Sequence, residues 1–115
     1  NYPYLDAVSY PQGPHVHLRS LPAGVKGDGY LAVLGELVDR VRETGADVVV
    51  VSLGFDTVAT DGIQDASVGL EIGHYRRIGE RIAALELPTL VVVEGGYDLA
   101  ALSDCARSFA EGLTS

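Results

Sequence analysis

A chain of 115 residues is long enough for one compact domain and too short for two. Hydrophobic residues make up 47% of it and its mean hydropathy is +0.19, so a buried core is expected and disorder is not. The formal net charge of −8 excludes recognition through nucleic-acid phosphates, which needs a basic face. That charge serves solubility, or it attracts cationic ligands such as polyamines and lysine-rich tails.

Other absences narrow the class further. No apolar run approaches the roughly 20 residues of a membrane-spanning helix. No basic-then-apolar amino-terminal segment reads as a signal peptide. The one cysteine, Cys105, cannot close an internal disulfide, and a reducing, cytoplasmic setting is expected. Methionine is absent, residue 1 included, so Asn1 is expected to lie inside a longer or processed chain.

Residues 1–27 are rich in Pro, Gly and Tyr and read as irregular, with one short strand over His15–Leu21 and a turn at "LPAG". Residues 28–115 read as the α/β part. Asp28 is the expected N-cap of a first helix ending near Thr44. Its stripe of Tyr30, Leu31, Leu34, Leu37, Val38 and Val41 falls at helical spacing. Gly45 is the expected left-handed residue after it. "DVVVVSL", Asp47–Leu53, is β-branched and apolar on both faces, as in a strand covered on both sides. Residues 54–70 show no periodicity and read as a long loop, a length that often carries function.

A second helix is expected over Glu71–Leu85, with Ile72, Tyr75, Ile78, Ile82 and Leu85 inward. "LPTLVVV" supplies a second buried strand, Thr89–Val93. Asp98 then caps a third helix, with Leu99, Leu102, Ala106, Phe109 and Leu113 as its inner face. Helices alternating with strands imply an α/β fold: a parallel sheet in a three-layer α/β/α arrangement with right-handed crossovers.

Ligands of open parallel sheets bind beyond the carboxyl ends of the strands. Two segments lie there, "LGFDTVATDG" after the first strand and "EGGYDLAAL" after the second. If the strands are neighbours, Asp56 and Tyr97 meet at one edge. Asp56 reads as a metal ligand or catalytic carboxylate, or as a loop aspartate capping local amides. Tyr97 reads as a hydrogen-bond donor to a developing oxyanion, or as a ring packed at a strand–helix corner. Gly95 and Gly96 permit a close backbone approach and favour the first reading. His15 and His17 share one side of a strand, but no third ligand stands at a fitting spacing. Asp65 reads as a solvated loop residue, His74 as exposed and Cys105 as buried. No dinucleotide fingerprint, phosphate-binding loop or nucleophile elbow is present.

"VVVVSLGFDT" followed by "LPTLVVVEGGYDLAAL" resembles the carboxy-terminal part of the arginase-like deacetylase superfamily. That group holds histone deacetylases and acetylpolyamine amidohydrolases, and the wording here is most similar to the latter and to class II-like members. The resemblance implies a zinc-dependent amidohydrolase that removes acetyl groups from a polyamine or a lysine side chain. By resemblance, Asp56 is a zinc ligand and Tyr97 the tyrosine that helps polarise the amide carbonyl. Gly95 and Gly96 then line the substrate tunnel. Gly54 and Phe55 support the ligand loop, with Phe55 beside the substrate. Asp61 matches an acidic residue that usually precedes Pro-Leu, here followed by Gly62-Ile63.

The family's Asp-x-His zinc pair and His-His acid–base dyad have no counterpart in this sequence, and Glu71 stands where a helix-capping Thr is usual. The isolated chain is therefore expected neither to hydrolyse acetyl-amines nor to hold zinc tightly. The alternative function is a non-catalytic deacetylase-like module that binds a partner. A two- or three-stranded parallel sheet would leave an apolar edge, to be covered by self-association or by an amino-terminal half.

Overall fold

A computed structural model describes residues 13–22, 24–60 and 68–115. Its elements, in chain order, are β1 (Val25–Lys26), α1 (Gly27–Thr44), β2 (Val49–Leu53), β3 (Val68–Gly69), α2 (Ile72–Ala83), β4 (Thr89–Val93) and α3 (Leu99–Thr114). The alternation of helices with parallel strands follows the sequence pattern. β2 and β4 are direct parallel neighbours, in register from Val49↔Thr89 to Leu53↔Val93. β1 and β3 form a second, very short parallel pair, extended by a bridge between Val58 and Leu70.

The helix ends obey local chemistry. Gly45 closes α1 at φ 67°, where a Cβ would be strained. Asp98 caps α3, its Oδ1 accepting from the amides of Ala100 and Ala101 at 3.1 and 3.3 Å. At α1 the expected cap is corrected. Lys26 is the N-cap and Asp28 sits in the first turn, because the β1 pairing brings extended backbone up to Lys26. A carboxylate in the first turn still complements the helix dipole.

One core forms beneath one face of the β2–β4 sheet. Leu31 of α1, Tyr75, Ile78 and Ile82 of α2, and Cys105 and Phe109 of α3 are buried there with Leu53, Phe55, Val58, Val68 and Leu70. The burial of Cys105 holds its thiol above the usual range. α2 and α3 cross closely. A Cβ on Gly79 would overlap the Phe109 carbonyl, and one on Gly112 would overlap the Arg76 carbonyl. The Ser108 hydroxyl enters the gap, accepting from the Arg76 amide at 3.0 Å and donating to the Ile72 carbonyl at 2.7 Å.

Three sequence expectations change. Both strands were expected to be covered on two sides, yet Val48, Val50, Leu90 and Val92 are 56%, 64%, 58% and 45% exposed. The described helices share a single core, so only one of the two outer layers is present among the described residues, and the alternate positions face outward. His15–Leu21 forms no strand, and the strand pairing begins instead at Val25–Lys26, which meets Val68–Gly69. Leu99 is 79% exposed and Ala106 is exposed, while Cys105 takes the buried position on α3. The helix rotates so that Gly112 and Phe109 face the α2 crossing. Asp61 and Asp65 lie outside the described residues.

Candidate active site at the carboxyl ends of the strands

β2 and β4 run side by side in the same direction, so their exits open at the same edge. The main chain keeps the two exits joined after the strands end. The Glu94 amide donates to the Leu53 carbonyl at 2.8 Å, and the Phe55 amide donates to the Gly95 carbonyl at 2.8 Å. Side chains add two further ties. The Ser52 hydroxyl donates to the Glu94 carboxylate, and the Thr60 hydroxyl donates to the Asp98 carboxylate. Those bonds, from Thr60 first and then from the cap amides, hold the Asp98 carboxyl below the usual carboxylate range.

This framework brings Asp56 and Tyr97 together around Gly95. A Cβ on Gly95 would stand 2.7 Å from Asp56 Oδ2 and 3.4 Å from Tyr97 Cε2. A Cβ on Gly54 would stand 2.7 Å from Asp56 Oδ1. The Asp56 carboxylate thus sits in a cradle that only glycine leaves open on both sides. Gly96 follows at φ 149°, a conformation that favours glycine, over the Cβ of Phe55. Tyr97 is half exposed at the rim.

Phe55 is only 3% exposed. Its ring lies 5.3 Å from that of Tyr75 at an interplanar angle of 53°, a tilted aromatic packing. It therefore supports Gly96 from below and presents little surface to a ligand in this chain.

A layer of hydroxyls behind Asp56 was not legible as part of the site. Tyr75 and Thr57 share a hydrogen bond of 2.8 Å. Burial, then the charge of Asp56, pushes the Tyr30 phenol up. Burial likewise raises the Tyr75 phenol, with Asp56 among the smaller causes. Both phenols remain neutral donors at physiological pH. Tyr30 and Tyr75 occupy apolar stripe positions of their helices, so periodicity assigned them to the core. Periodicity is blind to the hydroxyls that those rings carry.

Two clefts lie among the described residues away from this edge. A cleft of about 680 Å³ runs between residues 16–19 and the outer side of α1, lined by charged residues including Arg19, Glu36 and Arg40. A smaller, more apolar cleft of about 370 Å³ lies beside Asp98, between Thr60 and Ile72. Asp56 and Tyr97 line neither. His15 and His17 are exposed, and His74, expected outward, is half-buried. Among the described residues no three His, Cys, Asp or Glu side chains converge as a metal site.

Comparison with known proteins identifies the family to which this fold belongs. The family model of the histone deacetylase domain matches residues 2–113. The chain is 38% identical over 96 residues to acetylpolyamine amidohydrolase 1 of Pseudomonas aeruginosa, covering 84% of this chain and 27% of that protein. It is 34% identical over 92 residues to the acetylpolyamine amidohydrolase of Burkholderia pseudomallei, covering 80% and 26%. The crystal structure of the Burkholderia acetylpolyamine aminohydrolase superposes with a TM-score of 0.78 at 34% identity, over 83% of this chain and 27% of that one. The HDA15 HD domain superposes with a TM-score of 0.68 at 26% identity, over 79% and 26%. The chain thus spans about a quarter of the length of these relatives. With the whole fold and both strand exits inside the matched residues, the chain belongs to the histone deacetylase domain family.

Proposed function

We propose that this chain supplies part of the active site of a zinc-dependent amidohydrolase that removes acetyl groups from a cationic amine, an acetylated polyamine or an acetyl-lysine side chain. The observation that carries this reading is the meeting of Asp56 and Tyr97 on Gly95, where the joined exits of β2 and β4 open. The acidic chain, with a net charge of −8, suits a substrate that is positively charged beyond its acetyl group.

Tyr97 is the catalytic residue of the pair. Its neutral hydroxyl donates to the acetyl oxygen as that oxygen gains negative charge, which lowers the barrier more than it stabilises the substrate. Gly95 and Gly96 line the approach, and their missing side chains let the acetyl group come close to the main chain. Phe55 holds this floor in place from the core. Asp56 contributes a carboxylate to the metal that the family uses. Zinc in a catalytic site takes three protein ligands and keeps an open position. The described residues bring no such set of three together, and Asp56 is the one ligand this reading assigns.

A second reading is favoured by the exposed sheet face of Val50, Leu90 and Val92. In it the chain is a non-catalytic deacetylase-like module whose bare face seats a partner chain. A reducing, cytoplasmic location accords with a lone thiol.

Both readings are tested by replacing the matched quarter of the Burkholderia relative with this chain and assaying hydrolysis of an acetylated polyamine. The catalytic reading requires turnover by the chimera. A folded chimera that binds zinc and shows no turnover favours the non-catalytic module.

A further inference from the structure

His74 sits where α1 and α2 begin, and its ring is built into the joint. It is the third residue of α2, counting from its N-cap Glu71. The Glu71 amide donates to His74 Nδ1 at 2.9 Å, and the His74 amide donates back to the Glu71 carbonyl at 3.0 Å. The other side of the ring presses on Gly27, the first residue of α1, so closely that a Cβ there would overlap it. The joint is tied at its margins by the ion pair of Arg77 with Asp28 at 3.6 Å and by the β1–β3 pairing of Val25–Lys26 with Val68–Gly69.

We infer that His74 is a proton-sensitive latch: protonation of its Nδ1 releases the α1–α2 joint. The acceptor role requires an unprotonated Nδ1, with the ring hydrogen on Nε2. An imidazolium has no acceptor atom, so the Glu71 amide loses its partner on protonation. Among the described residues, the charged groups at the joint are Glu71 and Arg77 on the α2 side, and Lys26 and Asp28 on the α1 side. Their formal charges cancel. The ring lies at the amino-terminal ends of two helices, beside Gly27 of α1 and in the first turn of α2. The next residue, Tyr75, bonds Thr57 beside Asp56, so the joint adjoins the strand exits.

The latch stands apart from the amidohydrolase reading, and its test reads the joint directly. In the 115-residue chain, imidazole nitrogen shifts of His74 and exchange of the Glu71 amide are followed from about pH 7.5 to about pH 5.5, the ordinary histidine range. At the upper end His74 reads as the Nε2–H tautomer. As it takes up its second proton, Glu71 protection, corrected for intrinsic exchange, falls about fivefold, the scale of a lost helix cap. In His74→Gln, which keeps an acceptor that does not titrate, that fall is absent. A hydrogen on Nδ1 at the upper pH, an equal fall in His74→Gln, or Glu71 protection that stays constant while His74 titrates would overturn the inference. The first and third results need only the unaltered chain, so they decide the matter even where the variant does not fold.

Discussion

Three glycines in the helices should respond to alanine with different signs, and the packing dictates which. In Gly112→Ala the new methyl would overlap the Arg76 carbonyl and lie 2.8 Å from the Arg76 carbonyl carbon and 3.0 Å from the Glu80 nitrogen. All three are main-chain atoms of α2, so no side chain can swing aside and the crossing must open. Overpacking of this kind costs about 1–3 kcal/mol or more. The helical gain of alanine over glycine, about 1 kcal/mol in mid-helix and less this close to the end of α3, offsets part of it. The net loss is about 1–3 kcal/mol, or a fall in Tm of about 5–15 °C for a chain of this size.

Gly35→Ala in α1 meets only the tip of the Arg81 side chain at 2.6 Å, which can move. Gly73→Ala at the start of α2 meets nothing within 4 Å. Both should be neutral or stabilising, by up to about 1 kcal/mol. Urea unfolding with a constant m-value measures all three. A Gly112→Ala chain as stable as the unaltered one would refute the close α2–α3 crossing, as would a loss in Gly73→Ala of the same size.

Three further outcomes follow from the site. Asp98 has its carboxyl held down by Thr60 and the α3 cap amides, so its stabilising effect is present at neutral pH and lost as pH falls through its lowered value. Asp98→Asn, still a good cap, should therefore lose less Tm than the unaltered chain on acidification below about pH 4. Tyr75→Phe strips the 2.8 Å partner from Thr57 and should cost about 1–2 kcal/mol in urea unfolding. The chain alone should show neither tight zinc binding by calorimetry nor hydrolysis of acetylated amines, and either activity would overturn the expectation that Asp56 alone of the metal ligands lies in it.

What the residues revealed in advance was mostly local. Asp98 was readable as a cap because its short carboxylate precedes a helical stripe, and Gly45 because a helix must end where φ turns positive. Thr89–Val93 was readable because β-branched residues bounded by Pro and Gly leave little alternative. The nearness of Asp56 and Tyr97 followed from strand direction alone, provided that β2 and β4 pair, and they do. The failures share a cause, which is dependence on a distant partner. β-branching in "VVVV" reports what a strand would bury, whereas Val48 and Val50 stay exposed because no second helical layer meets them among the described residues. The α1 N-cap moved from Asp28 to Lys26 because Val68–Gly69 pairs with the residues just before it. The hydrogen bond between Tyr75 and Thr57 became visible only once α2 had packed against the segment that follows β2.

The most direct measurement compares acetylated-polyamine hydrolysis by the zinc-loaded chimera with that of its Tyr97→Phe variant, with bound zinc quantified in both. If Tyr97 donates to the developing oxyanion, the variant keeps its metal and its fold and loses about 10²-fold or more in kcat. An undiminished rate in the variant would contradict the assignment of the "EGGY" edge as the active site.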